Sequence, residues 1–96
     1  MKRPAVYIVA NKRNGTLYTG VTSDLVRQVF EHRTAAAPGF TKTYGCKMLV
    51  WFERHDEMAT AILREKQIKA GSRAKKVALI EQSNPQWRDL YEEIAR

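Results

Sequence analysis

The chain is poor in the residues that staple, break or anchor a small protein. It has one cysteine, Cys46, with three prolines and five glycines in 96 residues. A lone thiol excludes an internal disulfide, and with only His32 and His55 beside it a structural zinc site cannot be assembled. No apolar run approaches the roughly 20 residues that cross a bilayer. Ala5 to Ala10 is too short for a signal-peptide core, so a cytoplasmic protein with no membrane partner is expected. Acid is scarce too, with 10 Asp and Glu against 17 Lys and Arg, a net charge of +7. The length and the 44% apolar content fit one domain over residues 1–96, able to bury its own core.

The positive charge is unevenly placed. Residues 1–80 carry 15 basic and 6 acidic side chains, a balance of +9, whereas residues 81–96 carry 2 and 4, a balance of −2. The densest cluster is Lys66, Lys69, Arg73, Lys75 and Lys76. Such a cluster draws in a polyanion by displacing its condensed counterions, which makes nucleic acid the first partner to consider. A solvated helix surface would have the same composition.

The apolar pattern predicts an α+β fold in the order β-β-α-β-α-α-α. Ala5 to Ala10 is β-branched and aromatic on both parities, as in a strand covered on both faces. Asn14-Gly15 signals a hairpin into a second, antiparallel strand over 16–21. Thr22-Ser23-Asp24 offers N-cap oxygens to a first helix carrying Leu25, Val26, Val29 and Phe30. Thr34 to Gly39 breaks it, and Cys46 to Glu53 reads as a third strand. Asp56 would cap a second helix ending near Gly71, Ser72 a third, and Asn84-Pro85 a fourth with Trp87, Leu90, Tyr91 and Ile94 as its stripe. A small three-stranded, mainly antiparallel sheet with helices packed on it accommodates these elements.

On three elements, polar groups fall on or beside faces that the pattern assigns to the core. Measured from Met58 at about 100° per residue, Glu65 lands near 340°, inside the stripe of Ala61, Ile62 and Ile68. A carboxylate there needs compensation by an arginine, a buried polar network or a metal ion. On the first helix, Gln28 and His32 form an i, i+4 pair at the border of the apolar arc, whereas Arg27 and Glu31 lie beyond its other border. A histidine at such a margin is either a hydrogen-bonded structural residue or a functional one. If the hairpin loop has an even number of residues, Tyr7 and Tyr18 project from one face of the sheet, as packed core or as a pair of functional phenols.

Ala5-Val6-Tyr7, then Tyr18-Thr19-Gly20, a capped helix with His32 and a later helix with Glu65 resemble the GIY-YIG nuclease superfamily. The likeness is to its small stand-alone branch, related to the N-terminal nuclease domain of the excinuclease C subunit of DNA repair. Gly39 to Gly45, Arg64 to Lys69, Ser72 to Lys76 and Asn84 to Leu90 also look like segments of that branch. The resemblance implies Tyr7, Tyr18 and His32 as catalytic residues, Glu65 as the ligand of one Mg²⁺ or Mn²⁺, and DNA as substrate. The family's helix-borne arginine falls on Gln28, with Arg27 beside it, and Ala5 replaces the usual glycine.

The resulting expectation is a metal-dependent DNA endonuclease, impaired by Gln28 or rebuilt around Arg27. The alternative is an inactive module on the same scaffold that grips nucleic acid through Lys42, Lys66, Lys69, Arg73, Lys75 and Lys76. A third possibility is a protein-interaction domain that uses the acidic C-terminal helix.

Overall fold

The structure, a computed structural model, describes residues 3–36 and 39–96. Ala37 and Pro38, part of the break expected after the first helix, lie outside the described residues. The elements are β1 (Ala5–Ala10), β2 (Leu17–Thr22), α1 (Leu25–Arg33), α2 (Phe40–Tyr44), β3 (Met48–Arg54), α3 (Met58–Ala70), α4 (Arg73–Ser83) and α5 (Tyr91–Ile94). The order agrees with the sequence pattern except for α2, a single turn too short to leave a periodic signature.

β1 is the central strand of an antiparallel sheet in the order β2-β1-β3, and all six of its residues are buried. Its doubly apolar sequence is therefore explained by cover on both faces. On one face Tyr7 and Val9 pack with Leu25 and Val29 of α1, Leu49, Leu90 and Ile94. On the other, Val6 and Ile8 pack with Ala61 and Ile68 of α3, Ile80 of α4 and Trp87. The β1–β3 register skips a residue between Ile8↔Trp51 and Val9↔Leu49, a bulge that leaves Val50 and Trp51 in the same core.

The hairpin loop differs from a two-residue turn. Pairing ends at Ala10↔Leu17, so the loop spans residues 11–16. Gly15 N–H donates to the Lys12 carbonyl at 3.0 Å, with Asn14 at φ 57°. Asn tolerates this left-handed conformation better than most residues. The loop length is still even, so Val9 opposes Tyr18 and Tyr7 opposes Gly20, and both tyrosines leave the same face.

Caps and helix faces need three corrections. Asp24 caps α1 and Ser72 caps α4 as expected, but α3 begins after Glu57, and Asp56 instead pairs with Arg3. On α1 the buried face is Leu25, Val29 and His32, while Phe30 is exposed. The expected long C-terminal helix shrinks to the single turn of α5, because Asn84 ends α4 rather than opening another helix. Its buried amide donates to the Val50 and Arg88 carbonyls and accepts from Arg88 N–H, bonds that a helical path would forfeit. Trp87 follows at φ 55°, a strained conformation held by burial of its indole and by the bond from Nε1 to Glu81.

Gly20 gives the Tyr-x-Gly segment a physical reason. A Cβ at that position would lie 2.4 Å from the Tyr7 hydroxyl oxygen, because the Tyr7 ring crosses directly over Gly20. Gly20→Ala is therefore expected to destabilise the protein by about 1–3 kcal/mol in urea unfolding, as the phenol is pushed aside. An unchanged midpoint would contradict the crowding.

Candidate active site

Tyr7 reaches from the centre of the sheet to α1. Its hydroxyl lies 2.9 Å from His32 Nε2, and His32 Nδ1 lies 2.9 Å from Thr41 Oγ1 on α2. Tyr7, His32 and Thr41 are all buried. With the imidazole proton on Nδ1, the phenol donates to Nε2 and the Nδ1–H donates to Thr41; with it on Nε2, Thr41 donates to Nδ1 and the Nε2–H donates to the phenol oxygen. Tyr18 completes the aromatic group, with its ring centroid 6.5 Å from Tyr7 and 5.9 Å from His32.

Burial is the main reason that the Tyr7 hydroxyl ionises less readily than an ordinary phenol, with electrostatic repulsion from Tyr18, Glu65 and Glu31 adding to the effect. Burial likewise holds His32 below its ordinary pKa of 6.5, partly opposed by Glu31. Protons therefore bind His32 more readily in the unfolded chain. Its stabilising contribution is complete above 6.5 and declines as pH falls toward the lower folded value. His32→Gln is expected to remove part of the acid-side loss of stability, measured as the change in unfolding free energy from neutral to mildly acidic pH. An unaltered pH dependence would show that the imidazole is not held neutral by burial.

Glu65 and Lys69 approach from α3. The Glu65 side chain is only 13% exposed, and its Oε2 lies 2.9 Å from Lys69 Nζ. The compensation that its apolar surroundings demand thus comes from a lysine one turn away, not from an arginine in a closed interior. Lys69 is half-exposed, and its ammonium stands 5.7 Å from the centroid of the Tyr18 ring. It lines a cleft of about 440 Å³ with Tyr18, Thr19, Phe40, Arg73 and Lys76.

The remaining basic residues divide into two sets. Arg73 lines the cleft while donating to the Asn14 and Gly15 carbonyls, and Lys76 does so while donating to the Gly71 carbonyl. Lys42 and Lys66 are exposed and do not line it, and Lys75 borders the neighbouring hollow with Arg64 and Gln67. Arg27 does not join the site. Its side chain is 75% exposed and pairs with Glu31 across one turn of α1, the outward bearing that the helical wheel requires. Gln28 is half-buried one turn before His32.

Among the described residues no group of three or more His, Cys, Asp or Glu could cage a metal. One carboxylate nevertheless fits a Mg²⁺-like ion, which usually keeps several waters and is held by one or two carboxylates together with substrate phosphates. Thr41, Gly20 and Phe40 are the site residues that sequence reasoning missed. Thr41 and Phe40 sit on a helix with no periodic signal, and Gly20 is informative only once Tyr7 is placed opposite it.

A three-stranded antiparallel sheet whose two opening strands bring paired tyrosines to a helix-borne histidine, with a glutamate supplied by a later helix, is the arrangement of a GIY-YIG domain. The model of the GIY-YIG catalytic domain matches residues 3–78, and the chain belongs to this family. Its similarity extends to small UPF0213 proteins. It is 36% identical over 80 residues to the UPF0213 protein of Staphylococcus saprophyticus, covering 83% of this chain and 96% of that one. It is 42% identical over 65 residues to the UPF0213 protein of Natronomonas pharaonis, covering 68% and 76%. The solution structure of the UPF0213 protein from Bacillus halodurans is similar at a TM-score of 0.57, with 26% identity over 91% of this chain and 92% of that one. No helix among the described residues is long and apolar enough to cross a membrane.

Proposed function

We propose that the protein hydrolyses phosphodiester bonds in DNA with the help of one divalent cation. The observation that carries this reading is the convergence of the Tyr7–His32–Thr41 chain, Tyr18 and the Glu65–Lys69 pair beside one basic cleft. A phosphodiester resists attack because its charge repels the nucleophile and its leaving oxygen is poor. Lys69, Arg73 and Lys76 supply attraction for the backbone. Glu65 would hold Mg²⁺ or Mn²⁺, which when bound supplies stabilisation of negative charge on the leaving oxygen.

Tyr7 then acts as a relay. Its oxygen accepts a proton from the attacking water while its own proton passes to His32 Nε2, 2.9 Å away. The transfer never requires a free phenolate, which burial disfavours. Thr41 fixes the imidazole so that Nε2 faces the phenol. Tyr18, tilted across Tyr7 and His32, orients the water or phosphate.

Position 28 bears on the rate. Glutamine cannot offer the charge of a guanidinium, and losing one donor to a developing oxyanion typically lowers a rate by roughly 10²–10³. Lys69, between Glu65 and Tyr18, takes over part of that neutralisation. The reading is tested by incubating the protein with nicked, flapped and single-stranded DNA and Mn²⁺. Slow cleavage is expected, accelerated about 10-fold or more in Gln28→Arg.

The pre-formed pair of Glu65 with Lys69 favours a second reading, a nucleic-acid-binding module without hydrolysis. Salt-sensitive DNA binding that ignores divalent ions, with no cleavage even by Gln28→Arg, would select it.

A further inference from the structure

The short helix α2 carries two large aromatic side chains that the fold does not use. Phe40 is 44% and Tyr44 is 52% exposed, and neither belongs to the two hydrophobic cores. Their ring centroids are 4.6 Å apart, and Phe40 lies 5.9 Å from Tyr18 at an interplanar angle of 30°. Tyr18, Phe40 and Tyr44 thus form a row that starts at Tyr18, beside Tyr7 and His32, and runs outward. The inner part of the row walls the cleft that also holds Lys69, Arg73 and Lys76.

Single exposed aromatics are ordinary on protein surfaces. A row of three beside a cationic cleft has the two components that single-stranded nucleic acid requires, positive charge for the backbone and ring faces for the bases. In a duplex the base faces are covered by their stacked neighbours, so this row is accessible only to a base that has left the stack.

We propose that Phe40 and Tyr44 are a stacking platform for unpaired bases of a DNA strand whose backbone lies along Lys69, Arg73 and Lys76. The proposal deepens the nucleic-acid reading by naming unpaired DNA as what the site takes, and it does not depend on hydrolysis. A strand lying this way would have nucleotides adjoining Tyr18 within the cleft while its flanking bases rest on α2.

The test is fluorescence anisotropy without divalent ions, comparing a short oligothymidine with a duplex of equal length. A 2-aminopurine label reports stacking directly, and thermal melting monitors the fold. Wild-type protein is expected to prefer the single strand and to quench 2-aminopurine. Phe40→Ala/Tyr44→Ala is expected to lose single-strand affinity by roughly 10-fold or more, with quenching abolished, a clearly smaller loss for the duplex and melting nearly unchanged. Phe40→Trp/Tyr44→Trp should retain the affinity of the parent. Equal losses for both DNAs, no loss, or a duplex preference would overturn the platform while leaving the basic cleft as a DNA site. Absence of binding to either DNA at low salt would overturn the platform and the nucleic-acid reading together. Concentration-dependent dimerisation of the wild type that Phe40→Ala/Tyr44→Ala abolishes, without the single-strand effect, would assign the row to self-association and overturn the proposal. Absence of cleavage by the wild type, with its single-strand preference intact and lost in Phe40→Ala/Tyr44→Ala, would count against hydrolysis and support the platform.

Discussion

Replacing Tyr7 with phenylalanine is expected to lower DNA cleavage by roughly 10²–10⁴-fold while leaving DNA affinity within about twofold. The substitution removes only the hydroxyl, which lies 2.9 Å from His32 Nε2, and leaves the ring that packs over Gly20 and against the α1 core. The relay then has no oxygen to take the proton from water. His32 is left with an unsatisfied nitrogen in a buried place, so a stability loss of about 1–3 kcal/mol should accompany the kinetic effect. That loss is readable separately by urea unfolding. Cleavage measured below the onset of unfolding separates the two effects, and a variant that cleaves at the parental rate would remove Tyr7 from the chemistry.

Glu65→Gln is expected to have the largest effect, with opposite signs on two properties. Cleavage should fall by about 10³-fold or more, because the amide is a poor ligand for a hard cation that is worth several kcal/mol at the leaving oxygen. Metal-free DNA affinity should rise at the same time, because Lys69 is released from the carboxylate that it now contacts at 2.9 Å. Its ammonium then faces the cleft beside Arg73 and Lys76 without a competing anion. A purely structural carboxylate would lower both properties together through partial unfolding. Kinetics and anisotropy on the same preparation distinguish these cases, and Lys69→Met, which also breaks the pair, should weaken DNA binding instead.

The parts of the site that were legible in the sequence are those in which an apolar period is interrupted. Glu65 is conspicuous because Ala61, Ile62 and Ile68 mark an apolar stripe around it; Ile62 proves exposed, but Ala61 and Ile68 are buried and α3 does hold the Glu65 side chain nearly buried. The placing of Tyr7 and Tyr18 on one face followed from parity alone. It survives a loop of six residues where a tight turn was expected, because both lengths are even. Arg27 was distinguishable from Gln28 by its bearing on α1, and its exposure follows from that bearing.

What was not legible depends on contacts between distant segments. Helix α2 is too short to show a period, and Thr41 is placed by its bond to His32. The helix expected from Asn84-Pro85 gives way because the Asn84 amide is better satisfied by Val50 on β3 than by capping a new turn. Asp89 shows the same dependence. It accepts from Leu49 N–H and Tyr91 N–H and pairs with Arg33 of α1, tying the C-terminal segment to the body through partners that no local pattern reveals.

The most direct measurement is a crystal structure of the protein with Mn²⁺ and a non-hydrolysable oligonucleotide, with the anomalous signal locating the metal. The expected result is one Mn²⁺ at about 2.0–2.2 Å from a Glu65 carboxylate oxygen. Lys69 should be displaced from that carboxylate, and a backbone phosphate should lie between the ion and the Tyr7 hydroxyl. A complex in which Glu65 and Lys69 keep their pair, with the metal elsewhere and every phosphate outside reach of Tyr7, would contradict hydrolysis at this site.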